Sequence, residues 1–368
     1  AERFGLYAAT AEASTLYEHC RRALDKRLTA GAHGLPLIGA GDWNDGLNRV
    51  GAGGRGESIW LGWFLYATLR AFAPLAEIAA KTDQALAWRE QAERVRVALE
   101  AAGWDGAWYR RAYYDDGMPL GAAGDREWFI DSVAQSWAVL SGAGDPVRAA
   151  QAMGAVKAML VDREHALILL GKPPFDRSNR DPGYIKGYPP GVRENGGDYH
   201  HASIWAAWAM LELGWRDDAH ALFQMLNPIN RSDTPEGVER YKVEPYVIAA
   251  DILSSTGHLG RGGWTWYTGS ASWMYRLALE GILGLRRRGD LLEIKPCIPS
   301  TWPGFEVSYG YGRSRYRIVV TRRDGATGQV REVWLDGQLL LEGAVRLQDD
   351  GVEHQVSVVL GQAIGDAL

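Results

Sequence analysis

Cysteine is almost absent from this sequence, which has only Cys20 and Cys297 among its 368 residues. Two cysteines so far apart provide neither a disulfide framework nor the spacing of a zinc site, so we expect no metal centre and a reducing, cytoplasmic environment. Blocks of basic residues are also missing, and the net charge is only -5. Scattered charge of this kind argues against a nucleic-acid partner and favours a neutral or anionic small substrate.

A long uncharged apolar run is lacking too. The most hydrophobic stretch, Ser58 to Leu75, contains Arg70 and Pro74, so its uncharged part falls short of the roughly 20 residues that span a bilayer. We predict a buried helix there and no membrane segment in this chain. The N-terminus shows no secretory signal pattern. Because the chain begins at Ala1 without a methionine and its opening already has a helical pattern, we expect a piece of a longer protein.

Tryptophan and tyrosine are abundant, with sixteen of each. Most must belong to the core, but several lie beside glycine-rich loops. Aromatic rings stack on the apolar faces of sugars, whose hydroxyls need separate polar partners. The composition is therefore compatible with a carbohydrate ligand.

Up to about Leu285, apolar residues recur every three or four positions between glycine and proline breaks, which predicts a mainly α architecture. The predicted helices are Ala11–Leu28, Ser58–Ala73, Lys81–Ala101, Ile130–Leu140, Pro146–Leu160, Ala202–Leu213, Trp215–Leu226, Pro245–Ser254 and Gly269–Leu283. After Arg288, short alternating runs separated by Asp-Gly breaks predict a small antiparallel β-sandwich. We expect a toroid of paired helices in residues 1–288 and a β domain in residues 289–368.

Three glycine-rich polar loops carry the candidate site residues: GDWNDG (41–46), GYPPGVRENGGDYHH (187–201) and GRGGWTWYTGSASWMYR (260–276). The first could be a simple turn, although Trp43 is costly to expose there. In the third, Thr268 and Gly269 precede a predicted helix, so they either cap it or bind an anion. The paired histidines 200 and 201 could be core residues or partners of an oxyanion, and no acidic partner makes them a metal site.

These loops, together with IDSVAQSWAVLSGAGD (130–145), resemble in sequence and order the motifs of inverting glycoside phosphorylases, the family of the cellobiose and chitobiose phosphorylases. Agreement is closest with 1,2-β-oligoglucan phosphorylases and the C-terminal phosphorylase-like domain of cyclic β-1,2-glucan synthases. The likeness runs from Ala1 to about Val320. It implies an (α/α)6-barrel, here lacking its first helices, followed by a β-sandwich, and it implies that the N-terminal part of a parent protein is missing.

By this resemblance, Asp45 matches the general acid and Trp43 matches the sugar-stacking residue beside it. The phosphate-binding positions are matched by His201, Thr268 and Gly269. An inverting hydrolase needs a second carboxylate to activate water, whereas a phosphorylase uses inorganic phosphate as the nucleophile. Inorganic phosphate is thus a co-substrate, and no cofactor is expected. We also expect burial beside Trp43 to raise the pKa of the Asp45 acid, and we expect Asp42 in the same loop to be a structural turn residue.

The acceptor sugar site is matched by Tyr188 and Arg193. Tyr184 stands where the cellobiose enzymes carry a carboxylate, which argues against cellobiose as substrate. The resemblance implies release of α-glucose 1-phosphate from a β-linked glucan, β-1,2-glucan being favoured, by a cytoplasmic enzyme or the cytoplasmic part of an inner-membrane parent protein. A homodimer is one assembly to test.

Two other functions stay open at the level of sequence. The chain could be a noncatalytic glucan-binding or chain-length-controlling module of a larger glucan synthase, since such a module could retain Asp45. It could also be an inverting glycoside hydrolase, for which Glu194 and Glu244 are the candidate base residues.

Overall fold

The structure is a computed structural model that describes residue 5 and residues 11–323, 328–341 and 343–361. The ends of the predicted domains, residues 1–4, 6–10 and 362–368, lie outside that part. The described α-helices are α1 (Leu16–Arg27), α2 (Ile59–Ile78), α3 (Thr82–Ala98), α4 (Ser132–Leu140), α5 (Pro146–Met159), α6 (His200–Glu212), α7 (Arg216–Leu226), α8 (Pro235–Tyr241) and α9 (Ser270–Arg276). Two π-helical segments, Leu99–Gly103 and Leu277–Ile282, continue α3 and α9, and 3₁₀ turns occur at Asp45–Leu47, Tyr184–Gly187 and Pro228–Arg231.

The helices form two layers. Helices α2, α4, α6 and α9 contact one another in that order, while α3, α5 and α7 pack behind α2, α4 and α6 respectively. Burial follows the layers. In α3 the buried residues form one stripe of Ala85, Trp88, Ala92 and Val95, as expected for an outer helix. In α6 nearly every residue from Ala202 to Leu211 is buried, so this helix lies in the interior and positions the histidines at its start.

Three helix predictions differ from the structure. Helix α1 begins at Leu16, after its cap Thr15, and not at Ala11. Helix α2 continues past Pro74 to Ile78 instead of ending at Ala73, because burial of Ala76 holds the last turn despite the missing proline N–H. The helix predicted at Pro245–Ser254 is wrong. That segment consists of a turn and irregular backbone with the strand Asp251–Ile252, and the helix of this region is α8, which starts after its cap, Thr234.

Short strands between the helices were not predicted. They are β1 (Glu57–Ser58), β2 (Ala112–Tyr113), β3 (Pro119–Leu120), β4 (Ile130–Asp131), β5 (Val161–Asp162), β6 (Leu167–Ile168), β7 (Gly171–Lys172), β8 (Asp198–Tyr199) and β9 (Asp251–Ile252). Each has two residues, too few for an alternating pattern to be visible in the sequence. The antiparallel pair β8–β9 matters most for the site, because it joins the start of α6 to the loop that precedes α9.

The C-terminal region forms two sheets. Its strands are β10 (Leu285–Arg288), β11 (Leu291–Ile294), β12 (Gly304–Tyr311), β13 (Ser314–Arg322), β14 (Gln329–Leu335), β15 (Gln338–Leu339), β16 (Ala344–Arg346) and β17 (Glu353–Gly361). The sheet orders are β10-β11-β16 and β12-β13-β17-β14-β15. Antiparallel pairing was predicted throughout, but β13 and β17 are parallel. Strand β10 already lies before residue 289 and pairs with β11 across the predicted domain boundary.

One hydrophobic core runs through both regions, from Trp63 and Trp88 in the helices to Ile318 and Val358 in the larger sheet. By length and composition α2 is the one described helix that could cross a membrane, but it packs along α3 and against α4, and 44% of its most apolar window is buried. The coarse prediction of a helical region followed by a sheet region is confirmed.

Candidate active site

The loop that carries Asp45 is fixed from both sides. Asn44 caps the 3₁₀ turn Asp45–Leu47, with its side-chain oxygen accepting from the Gly46 amide at 3.0 Å. A Cβ on Gly46 would lie 2.8 Å from Ile185, so only glycine allows the turn to press on the segment Tyr184–Gly187. The Asp45 side chain then extends outward, and within the described part of the chain no hydrogen bond to its carboxyl is found. The expectation that Asp45 is buried beside Trp43 was wrong, since Asp45 is exposed.

Asp42 is the buried aspartate of this loop. Its carboxylate accepts from both terminal nitrogens of Arg111, at 2.6 and 2.7 Å, and from the Ser58 hydroxyl at 2.6 Å. It also accepts from the Asn44 amide at 3.0 Å, which is an Asx turn. Burial alone would raise the pKa of Asp42, but the Arg111 guanidinium outweighs burial and lowers it. Asp42 is therefore an ionised structural residue that holds the loop, as expected.

Arg111 bridges Asp42 to a second buried carboxylate, which sequence analysis missed. Its Nε lies 2.8 Å from Asp131, and both side chains are almost fully buried. Asp131 also caps α4 by accepting from the Ala134 amide at 3.0 Å. Burial raises the pKa of Asp131 even though Arg111 opposes that shift. The candidate acid loop is thus attached to the start of α4 through a single guanidinium.

Trp43 contacts His201, and such a contact is expected if both residues belong to one site. The indole N–H donates to Nδ1 of His201 at 3.3 Å. The Trp43 ring also lies edge-on to Tyr199, with centroids 5.7 Å apart, and 5.3 Å from Trp205. The loop residue and the start of α6, 158 positions apart in sequence, are therefore in direct contact.

The hydrogen bond from Trp43 determines the tautomer of His201. An indole N–H can only donate, so Nδ1 must be unprotonated and the neutral ring carries its proton on Nε2. Burial lowers the pKa of His201 to about 4, so the ring is neutral at pH 7. The Nε2 atom is buried and has no hydrogen-bond partner in the described residues. His201 consequently presents an unused N–H donor beside the rings of Trp205 and Trp273.

His200 has the opposite tautomer. Its Nδ1 donates to the carbonyl oxygen of Ala249, which fixes the ring against the strand pair β8–β9. Its Nε2 is therefore an acceptor in the neutral ring, and burial lowers its pKa. An acceptor does not suit an anion, so of the two adjacent histidines only His201 offers a donor.

Thr268 and Gly269 lie at the start of α9. The Thr268 hydroxyl accepts from the Ser270 amide at 3.1 Å, so capping is part of its role. Gly269 is exposed and no Cβ contact would block its surface. Their link to His201 is Trp273 of α9, whose ring centroid lies 5.8 Å from that of His201.

The three residues predicted to bind substrate, Tyr184, Tyr188 and Arg193, form one wall. Tyr184 and Tyr188 have ring centroids 6.3 Å apart, and the Arg193 guanidinium lies 5.5 Å from the Tyr188 ring. Partial burial and then the charge of Asp45 raise the pKa of Tyr184, which indicates that the wall reaches the candidate acid. The structure therefore brings Asp45, Tyr184, Tyr188 and Arg193 to one side of the site.

Asp251 positions Arg193 and was also missed in the sequence. Arg193 has a positive φ of 49°, which is uncommon for any residue but glycine. Its amide donates to the Asp251 carboxylate at 3.2 Å, and the pairing of β8 with β9 supports this contact. Burial raises the pKa of Asp251. The signal was hidden because the segment was assigned to a helix.

Both candidate bases accept hydrogen bonds from neighbouring side chains. The Glu194 carboxylate accepts from Arg193 Nε at 3.3 Å and from the Tyr199 hydroxyl. The Glu244 carboxylate accepts from the Trp266 indole at 3.1 Å. A hydrolytic base must hold water opposite the acid, so these contacts do not favour the hydrolase alternative. In the part of the chain that the structure describes, no group of three or more histidine, cysteine or acidic residues could hold a metal ion.

Comparison with known proteins identifies the family of this chain. A model of the glycosyl hydrolase 94 superfamily catalytic domain matches residues 6–284. The chain is 52% identical over 319 residues to the cyclic beta-(1,2)-glucan synthase NdvB of Rhizobium meliloti, covering 86% of this chain and 11% of that protein. It is 34% identical to the N,N'-diacetylchitobiose phosphorylase of Vibrio proteolyticus, over 96% of this chain and 43% of the relative.

A third relative is the 3-O-beta-D-glucopyranosyl-beta-D-glucuronide phosphorylase of Paenibacillus borealis, 33% identical over 97% of this chain and 46% of the enzyme. The chain thus spans less than half the length of these curated relatives. Among solved structures, a sialidase superposes with a TM-score of 0.53 at 16% identity, over 80% of this chain and 26% of that chain. That likeness concerns the fold alone.

Proposed function

Since the chain belongs to the glycosyl hydrolase 94 superfamily, we propose that it carries the site for inverting phosphorolysis of a β-linked glucan, with α-glucose 1-phosphate as product. The family and the phosphorylase relatives support a glycoside phosphorylase or glycosyltransferase type of enzyme. The substrate, the mechanism and the residue roles are part of the proposal. Inorganic phosphate is the co-substrate and no cofactor is required.

The observation that carries the proposal is the unused Nε2–H of His201. A buried donor without a partner costs about 1–3 kcal/mol, and a phosphate oxygen bound at Nε2 would remove that cost. The donor lies on a neutral imidazole ring. Such a ring holds no bound anion that a phosphate dianion would have to displace. Thr268 and Gly269 complete the proposed phosphate site from the start of α9. The Gly269 amide can donate, and the Thr268 hydroxyl can donate when Ser270 supplies the proton of the hydrogen bond between the two hydroxyls.

Asp45 is the proposed general acid, and the contrast with Asp42 supports that choice. Asp42 is occupied by Arg111 and Ser58, whereas Asp45 is exposed and its carboxyl has no hydrogen-bond partner among the described residues. In the proposed step, a phosphate oxygen forms a bond to the anomeric carbon while the glycosidic C–O bond breaks. Asp45 gives its proton to the leaving oxygen and regains one from solvent. Attack from the face opposite the leaving group converts the β-linkage to an α-phosphate.

A β-1,2-glucan is the proposed substrate because the relative at 52% identity is a synthase of that glucan. Trp43 would stack on a sugar ring, and Tyr184, Tyr188 and Arg193 would line the acceptor unit. Tyr184 replaces a carboxylate of cellobiose-type sites, which supports a substrate other than cellobiose. A cytoplasmic location, the sequences adjoining this chain and a homodimer remain expectations of this proposal.

Replacing His201 with alanine tests the phosphate site. In the full-length protein, the His201→Ala variant should bind phosphate about ten- to a hundredfold more weakly, because a hydrogen bond to a charged group contributes about 1.5–3 kcal/mol. Glucan affinity should hardly change. Isothermal titration calorimetry with phosphate, with and without glucan, measures both quantities, and sulfate should compete with phosphate.

The matched control is His220→Ala, a histidine on the outer helix α7 that contacts Trp302. It should leave phosphate affinity unchanged. His201→Gln should recover part of the affinity, since its amide can donate. Equal phosphate binding by wild type and His201→Ala would make His201 a core residue only. If the wild-type protein binds glucan but no phosphate, the noncatalytic binding-module alternative is favoured instead.

A further inference from the structure

Four of the exposed aromatic side chains outside the described acceptor wall come from residues 246–267: Tyr246, Trp264, Trp266 and Tyr267, with Trp266 73% and Tyr246 74% accessible. They occur in two edge-to-face or tilted pairs. Tyr246 and Trp266 have ring centroids 6.2 Å apart, and Trp264 and Tyr267 have centroids 6.3 Å apart. Exposed aromatics gathered in this way indicate an interaction surface. We name these four residues the aromatic platform.

Trp266 is held in an unfavourable backbone conformation. Its φ is 64°, a left-handed value that is a genuine outlier for a bulky residue. Its indole N–H donates to the Glu244 carboxylate at 3.1 Å. Such strain persists where the surroundings enforce it and is concentrated at binding and active sites. The ring is therefore fixed in an exposed position instead of turning toward the core.

The platform is continuous with the proposed acceptor wall. The Arg193 guanidinium lies 5.5 Å from the Tyr188 ring and 4.9 Å from the Trp264 ring, so one cation is held between the two surfaces. From Trp264 the platform continues to Tyr267 through ring contact and to Trp266 two residues along the chain. The sequence of contacts thus leads from Asp45 through Tyr184, Tyr188 and Arg193 to the platform.

Polar groups lie beside Trp266, whose indole N–H donates to Glu244. Glu244 borders an open cleft of about 640 Å³ that is also lined by Lys242 and Thr265. The pKa of the Glu244 carboxyl is lowered by hydrogen bonds from its own backbone amide, from the Trp266 indole and from the Thr265 hydroxyl. An ionised acceptor beside an exposed ring face offers what a sugar requires, an apolar face to stack on and a partner for its hydroxyls. A protein helix would instead need a continuous apolar stripe.

We propose that the aromatic platform is a second carbohydrate-binding subsite, which holds glucosyl units of a β-linked glucan beyond the unit bound by Tyr188 and Arg193. This inference rests on the proposed function and deepens it. It makes the protein selective for chains longer than a disaccharide, because a disaccharide would fill the site up to Arg193 and leave the platform empty. Stacking at the platform adds affinity without touching the reacting bond.

The test compares chain lengths. In the full-length protein, Trp266→Ala and Tyr246→Ala should each raise the KM for a β-1,2-linked glucose pentamer by about three- to tenfold, as expected for loss of one ring contact. The KM for the disaccharide and the KM for phosphate should stay at the wild-type values. Tyr246 is the second variant because it lies outside the strained loop.

The matched control is Tyr275→Ala, an aromatic residue that is 68% exposed on α9 and lies beside the C-terminal sheets. It should leave pentamer kinetics unchanged. An equal rise in the KM for pentamer and disaccharide, or no rise for either, would contradict the proposal that the platform binds glucan. So would a change of oligomeric state in Trp266→Ala by light scattering with unchanged pentamer affinity, because the surface would then be a protein interface.

A separate binding measurement distinguishes failure of this inference from failure of the proposed function. Calorimetric titration with pentamer in the absence of phosphate requires no turnover. If the wild type binds pentamer and Trp266→Ala binds it at least threefold more weakly, while neither releases glucose 1-phosphate, then the platform stands and the phosphorylase proposal fails. If all variants bind pentamer equally while the wild type is an active phosphorylase, the reverse holds.

Discussion

Asp45→Asn is expected to abolish phosphorolysis, with a loss of about 10²–10⁴-fold in kcat, while glucan affinity stays near the wild-type value. The asparagine keeps the size of the side chain but has no proton of carboxylic acidity to give to the leaving oxygen, and general acid catalysis typically contributes this factor. Because Asp45 is exposed and has no hydrogen bond to lose in the described structure, the fold should be unaffected. Release of glucose 1-phosphate measures the rate, and calorimetry measures glucan binding.

The same substitution three residues earlier is the matched control. The Arg111 guanidinium and the Ser58 hydroxyl both donate to the Asp42 carboxylate. In Asp42→Asn these donors would face a neutral amide, which has only one oxygen to accept them. It should lower the unfolding temperature and leave the kcat of the folded protein within about tenfold of wild type. A kcat that falls more for Asp42→Asn than for Asp45→Asn would mean that the wrong aspartate has been chosen as the acid.

Local patterns predicted which loops meet. Glycine-bounded polar loops with an embedded tryptophan or histidine pointed to residues 41–46 and 187–201, and the structure brings Trp43 and His201 into hydrogen-bond contact. The long periodic helices were located for the same reason, since burial of a stripe leaves a clear trace in the sequence. The interior position of α6 follows from its apolar residues on every side.

Long-range pairing left no such trace. Arg111 directly follows Arg110 in the sequence, nothing in the sequence distinguishes the two, and only the fold brings Arg111 between Asp42 and Asp131. The tautomers of His200 and His201 depend on Ala249 and Trp43, which lie far away along the chain. Strands β13 and β17 pair in parallel. The alternation of apolar and polar residues along a strand is the same for parallel and antiparallel pairing, so the sequence does not reveal the orientation. Burial of Asp45 was expected from its tryptophan neighbour, but the 3₁₀ turn directs the two side chains differently.

The buried pair of carboxylates around Arg111 should dominate the stability of the acid loop. Arg111→Met is expected to lower the free energy of unfolding at pH 7 by about 3–5 kcal/mol, because it leaves Asp42 and Asp131 buried without a cation. Methionine preserves much of the aliphatic volume, so lost packing contributes little. Urea denaturation measures the change. Arg317→Met, which removes an exposed cross-strand ion pair with Glu306, is the matched control and should have little effect.

The pH dependence identifies the cause of that loss. Burial already raises the pKa of Asp131 while Arg111 is present, so removal of the guanidinium should raise the pKa of both aspartates in the folded state above the value of about 3.9 in the unfolded chain. A folded-state pKa that is raised means that the folded variant binds more protons than the unfolded chain as the pH falls, so acidification relieves the penalty. The stability difference between wild type and Arg111→Met should therefore be largest at pH 7 and smaller at pH 5. A difference that is constant between these two pH values would show that the lost hydrogen bonds, and not the unpaired charges, cause the destabilisation.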